Sequence, residues 1–167
     1  MPKMAITIIM TPTIQTIPAK KLIGKHITMS FADNKTFQLW SSFMPHRKEI
    51  ENTVDSANMY SLQFYGEDFF SHFNPKAEFE KWAAVEVNSF DFVPDGMEIL
   101  TIPGGQYAVF HYKGSHNNGH DVFSYILGEW LPASGYELDN RPHFEILGPK
   151  YKNGDPDSEE EIWIPIR

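Results

Sequence analysis

Hydrophobic and polar positions follow one succession twice along this chain. In the second half, Met97 to Pro103 alternates weakly, and Tyr107 to Tyr112 is a β-rich run ending at Lys113-Gly114. After the polar break Ser115 to Gly119, Val122, Tyr125, Ile126 and Trp130 recur at helical spacing, with Phe123 and Leu127 beside them. Proline cannot continue a helix interior, so the helix is expected to end near Leu131-Pro132, with Ser134-Gly135 as the turn. His143 to Leu147 reads as a short strand closed by Gly148-Pro149, residues 153–157 as a loop, and Ile162 to Ile166 as the last strand. The first half repeats the order. Leu22 to Met29 is a strand, Phe37, Trp40, Phe43 and Met44 mark a helical face, and Tyr60 to Tyr65 and Trp82 to Val87 are two further strands. Asp91 to Gly96 joins the halves. The insert Gly66 to Lys81 carries Phe69, Phe70, Phe73 and Phe79 among charged residues, which predicts a flap packed over one end of the sheet.

Local wording repeats with the pattern. Thr16-Ile17-Pro18 is echoed by Thr101-Ile102-Pro103, and each copy leads through an aromatic stretch to a tryptophan-bearing run. Pro18 and Trp82 are 64 residues apart, Pro103 and Trp163 are 60 apart. These observations predict one α+β domain over residues 1–167, built from repeat 1 (about 10–90) and repeat 2 (about 96–167). Each repeat is a strand-helix-strand-strand module. The two are related by pseudo-two-fold symmetry, with an antiparallel sheet, helices on one face and a cleft on the other. No glycine-rich phosphate loop follows a strand, which removes support for nucleotide binding.

Composition narrows the function. The chain has 13 Phe, 7 Tyr and 4 Trp, enough large apolar surface for a core. A net charge of −8 without a dense basic patch argues against nucleic acid as a partner. The absence of cysteine excludes disulfides, thiolate metal sites and cysteine nucleophiles. No apolar stretch long enough to span a membrane occurs, and Met1 to Met10 reads as a strand or tail rather than a signal peptide, so a soluble cytoplasmic protein is expected.

Few residues are candidates for chemistry. Glu145 interrupts an apolar strand, and there it is either a buried carboxylate of raised pKa or an exposed alternating position on an edge. Trp82 and Trp163 occupy equivalent places and share strand faces with Ala84 and Glu86, and with Glu161 and Pro165. Val85, Val87, Ile162, Ile164 and Ile166 suit the helix-packed side, so the tryptophan face is expected to look into the cleft; plugging a small second core is the alternative. Parity sets Tyr60 with Leu62 and Phe64, and Tyr65 with Ser61 and Gln63, which favours Tyr65 as the cleft tyrosine. Tyr107 is a lesser wall candidate, and Trp130 belongs to the helical core stripe. His111, His116, His120 and His143, even with Asp121 and Glu145, form no compact ligand set, so neither a metal nor a cofactor is expected. The acidic run Ser158 to Glu161 reads as a solvated approach to a strand.

Four motifs in order, Ile102-Pro103-Gly104-Gly105-Gln106-Tyr107-Ala108-Val109-Phe110, Trp130 to Glu137, Phe144-Glu145 and Ile164-Pro165-Ile166, resemble the GyrI-like small-molecule-binding domain. This is the effector-binding domain of many AraC- and MerR-type regulators, BmrR among them. The resemblance implies a ligand cleft between the modules and a buried carboxylate there, at Glu145. Joined to the strand parities, it makes Glu145, Trp82, Trp163, Tyr65 and Tyr107 the expected ligand-binding set for a hydrophobic, cationic or planar molecule. It also implies two alternatives. One is hydrolysis of strained, cyclopropane-type electrophiles with Glu145 as general acid or base and Tyr65 as proton partner; the other is inhibition of DNA gyrase by protein contact. With no helix-turn-helix before the domain, a stand-alone member is expected, with a small-molecule ligand and a regulator or gyrase as the conceivable protein partner. The repeat of Glu145's strand, Ser61-Leu62-Gln63-Phe64, holds no carboxylate, so one site rather than two is expected.

Overall fold

The computed structural model describes residues 11–114, 119–152, 155 and 157–167, and of residues 119–121 the backbone only. Met1 to Met10, the break after Gly114 with His116, and the His120 and Asp121 side chains lie outside the described residues, as does most of the loop at 153–157. In chain order come β1 (Thr13–Ile17), β2 (Lys20–Met29), α1 (Thr36–Phe43), a 3-10 turn (Met44–Glu49), β3 (Met59–Phe64) and β4 (Phe79–Val87). Then follow β5 (Glu98–Ile102), β6 (Gly105–Lys113), α2 (Gly119–Tyr125), a π-type turn (Ile126–Trp130), α3 (Leu131–Ser134), β7 (His143–Leu147) and β8 (Glu159–Pro165). The eight strands among the described residues pair antiparallel in one sheet of order β1-β6-β8-β7-β3-β4-β2-β5.

That order places β1 six strands away from β2, and β5 six away from β6. Across a flat sheet the gap would be about 29 Å at about 4.8 Å per strand. Yet Ile17 is joined to Lys20 by two residues, and Ile102 to Gly105 by two, a reach of only about 11 Å. The sheet must therefore roll until its ends meet. The two Ile-Pro connections are the crossing points, which is why the repeated motif is there. They touch: a Cβ on Gly104 would lie 2.7 Å from the Ile17 carbonyl oxygen and 2.9 Å from the Ala19 nitrogen. Gly104→Ala is expected to cost about 1–3 kcal/mol by overpacking this crossing. The cost should appear as a lower urea midpoint with an unchanged denaturant slope.

Rolling turns one face of the sheet into an interior. Leu22, Tyr60, Leu62, Trp82, Ala84, Ile102, Tyr107, Val109, Phe144 and Trp163 form a single cluster drawn from both repeats, none more than 6% exposed. The outer face carries both helical layers. A cross-strand row runs Ala83, Ser61, Glu145, Ile162, Phe110. At one end Ala83 packs with Leu39 and Phe43 of α1, at the other Ile162 and Phe110 pack with Val122 and Ile126. Both helical layers thus stand on the same face as Glu145, with a polar strip of β3 and β7 between them.

The modules, the antiparallel sheet and the strand order within each repeat are as the sequence predicts. Four details differ. Phe37 is 83% exposed, and α1 buries Phe43, as expected, together with Leu39. The second helix does not stop at Pro132. The π-type turn shifts its phase, so Pro132 falls in the first turn of α3, where its missing N–H is not needed, and Gly135 at φ 82° ends the helix. β8 begins at Glu159, so the acidic run is strand rather than solvated approach. The face opposite the helices, where the sequence predicts a cleft, is sealed inside the roll, and the strip of sheet that no helix covers lies between the helical layers on their own face.

Candidate functional site

The pairing registers define which residues of the two repeats correspond. Leu62 faces Trp82 as Phe144 faces Trp163, so Gln63 corresponds to Glu145, Lys81 to Ile162 and Phe79 to Glu160. Each side-chain chemistry therefore occurs once. On the outer face β3 and β7 supply the floor of the gap between the helical layers, with Ser61, Gln63, His143 and Glu145; β4 and β8 bring Lys81 and Glu160 to its sides.

This floor is polar and mostly closed to water. Glu145 Oε2 and Glu160 Oε2 are both shut off from solvent and, among the described residues, accept no hydrogen bond. Burial raises the Glu145 carboxyl from 4.5 to about 7, with the Lys81 charge and the nearby Gln63 amide pulling partly against it. Glu160 is raised to about 8 by burial and then by the charge of Glu145, with Lys81 again opposing. Two carboxylates in one low-dielectric place cannot both ionise at low cost. Lys81 is the counter-charge. Its Nζ donates to Thr36 Oγ1, the first residue of α1, at 3.1 Å, and burial lowers its pKa against the upward pull of the two acids. His143 is 5% exposed and burial drops its pKa to about 3, so it is neutral. Gln63 Nε2 donates to Ser61 Oγ at 3.3 Å.

A flap roofs one end. Tyr65 follows β3 directly and packs against Phe69, Phe70 and Phe79 at ring distances of 4.7–4.9 Å and edge-on to His143 at 5.0 Å. Its hydroxyl pKa is raised by burial and then by the Glu145 charge. Beyond this aromatic layer a cavity of ≈ 350 Å³ opens, lined in part by Tyr65, Phe70, Leu127, Leu131, Arg141 and His143. Tyr65 and His143 thus belong both to the cavity wall and to the surroundings of Glu145.

Of the expected site residues, the structure brings together Glu145 and Tyr65. It separates them from Trp82, Trp163 and Tyr107, which lie inside the roll. Trp163 stacks on Phe144 at 5.2 Å and meets Tyr107 edge-on at 5.7 Å. The two indole N–H groups donate to Glu80 and Glu161 on their own strands, at 2.7 and 3.2 Å. Arg141 lies over the Tyr107 ring at 4.5 Å. The tryptophan parity is right, but Glu145 faces Ile162 and so has the other parity. Tyr60 is likewise inside, its hydroxyl donating to Glu86 at 3.0 Å. Trp130 is partly buried against the core, edge-on to Phe110 at 5.1 Å. Lys81 and Glu160 were not among the candidates, although each shares strand parity with aliphatic residues that pack under the helices. His111 pairs with Glu159 at 3.3 Å, away from His143, and among the described residues no three His, Asp or Glu side chains are grouped to hold a metal ion. Among those residues no helix is long and apolar enough to cross a membrane.

Comparison with solved structures finds the same fold at low identity. A transcription regulation protein from Staphylococcus aureus MU50 superimposes with a TM-score of 0.63 at 19% identity, over 95% of this chain and 99% of the other. A protein solved with tetraphenylphosphonium bound gives 0.59 at 18%, over 93% of both chains. A hydrolase from Listeria innocua gives 0.57 at 13%, over 94% and 92%. Comparison with curated protein sequences finds no match. The sequence model of the GyrI-like small molecule binding domain matches residues 10–167, and the chain belongs to that family.

Proposed function

We propose that the gap between the helical layers receives a hydrophobic cation, with Glu145 as its charged anchor, Glu160 as a second acid, and Tyr65, Phe70 and His143 as its wall. One observation carries this reading: one carboxylate oxygen of Glu145 and one of Glu160 are sealed from water and accept no hydrogen bond from a described residue. A buried acceptor without a partner is costly, and a ligand cation is the partner this arrangement lacks. Aromatic faces beside a carboxylate suit a delocalised cation, and the fold-mate holding tetraphenylphosphonium is consistent with that class. The flap has to part from His143 for a ligand in the outer cavity to reach Glu145.

Hydrolysis is the second reading. Carboxyls titrating near 7 and 8 beside a buried tyrosine can exchange protons at neutral pH, and a fold-mate is described as a hydrolase. Recovery of a chemically altered compound, lost in Glu145→Gln, would favour it over binding alone.

The cation reading makes a pH prediction of definite sign. Below about pH 7 both acids carry protons and have no charge to offer; above about 8 both are ionised. Calorimetric titration with tetraphenylphosphonium should give an affinity at pH 8 at least about tenfold above that at pH 6, while neutral triphenylphosphine oxide should show no such change. Equal cation affinity at both pH values would overturn the reading.

A further inference from the structure

We propose that Lys81 is a built-in counter-cation that limits the ligand to a single positive charge. The inference rests on the cation-binding reading and specifies it further. Among the described residues, three charged side chains face the gap floor: Glu145 from β7, Glu160 from β8 and Lys81 from β4. The other polar groups there, Ser61, Gln63, Thr36 and the buried His143, carry no charge at neutral pH.

Lys81 is a departure from the repeat. Its counterpart is Ile162, and its own strand neighbours on that face, Ala83, Val85 and Val87, are the aliphatic bed of α1. Its ammonium is tied to α1 by Thr36 and sits within electrostatic reach of both acids. Among the described residues, no ion pair within contact distance uses up either sealed carboxylate oxygen. With both acids ionised the cluster carries two negative charges and one positive. The remainder is one negative charge, which one ligand cation neutralises. A second positive charge on the ligand would be left without a partner in a desolvated place, where an unpaired charge is expensive. Removing the lysine charge leaves two, the demand of a dication.

Two flat biaryl cations of nearly the same shape test this at pH 8: 1-methyl-4-phenylpyridinium with one charge and 1,1′-dimethyl-4,4′-bipyridinium with two. Wild-type protein is expected to bind the monocation at least about tenfold more tightly. Lys81→Met should shift the ratio of affinities toward the dication by at least about tenfold, and Lys81→Arg, which keeps the charge, should leave it near the wild-type value. Far-ultraviolet circular dichroism checks that Lys81→Met is folded. Should it not fold, Glu160→Gln examines the same balance from the other side. That change leaves the cluster neutral, so monocation affinity should fall at least about tenfold and uncharged 4-phenylpyridine should become the better ligand. An unchanged ratio in folded Lys81→Met, or unchanged monocation affinity in Glu160→Gln, overturns the role of Lys81 while cation binding stands. Failure of wild-type protein to bind either cation overturns the cation reading itself and this inference with it.

Discussion

Replacing Glu145 by glutamine is expected to make the protein more stable at pH 8 and a far poorer cation binder. The folded-state pKa of the carboxyl, about 7, lies above its ordinary 4.5. Between those values the folded chain holds a proton that the unfolded chain releases, so stability falls as pH rises through that window. At pH 8 the full penalty is present, on the order of 3 kcal/mol at about 1.4 kcal/mol per pKa unit. Glutamine removes it and keeps the shape. Urea unfolding should show wild type and Glu145→Gln alike near pH 4 and separated by that order of magnitude at pH 8, the variant being the more stable. Tetraphenylphosphonium affinity should fall about 30-fold or more, the usual consequence of removing one partner of a desolvated charge pair. A variant less stable than wild type at pH 8 would mean the carboxylate is already satisfied by the protein. On the proposed reading, function and stability are opposed at this residue, as at many sites that hold an unpartnered group for a ligand.

The second large effect belongs to the roll. Trp163→Ala should cost about 3–5 kcal/mol, the range for removing a large buried aromatic. Trp163 is 6% exposed and its ring stacks on Phe144 and meets Tyr107. Trp163→Phe should cost less and leave ligand affinity within about twofold, because the ring lies on the far side of the sheet from Glu145. Chemical denaturation gives the first quantity and calorimetry the second. A Trp163→Phe protein of normal stability that has lost its ligand would place the tryptophan in the cleft after all.

This contrast shows what the sequence carries and what it leaves open. Period-two alternation correctly assigned Trp82 and Trp163 to one face and the Ile162, Ile164, Ile166 series to the other. It could not say which face bears Glu145, because parity is relative within a strand and the relation between strands is set by pairing. The register Ser61, Glu145, Ile162 decides it. Strand β7 was legible from end to end, having turn residues beyond it and apolar residues within. Glu160 was hidden in an acidic run that resembles a solvated surface, yet its parity with Ile162 is a usable signal. Lys81 was hidden at the end of the flap, and Ala83, Val85 and Val87 give the same clue. The roll was written in two Ile-Pro connections too short to cross a flat sheet. Recognising it needs the strand order, which no local pattern supplies. Pro132 misled because a π-type turn restarts the helix just ahead of it.

The central claim is that a ligand cation takes the place of a proton at Glu145. It is tested most directly by counting protons. Titrating tetraphenylphosphonium into the protein at pH 7 in two buffers of different ionisation enthalpy gives the protons exchanged per cation bound. The account predicts the release of about one proton in wild-type protein and a clearly smaller release in Glu145→Gln. Binding enthalpies that are the same in both buffers for wild-type protein would contradict it.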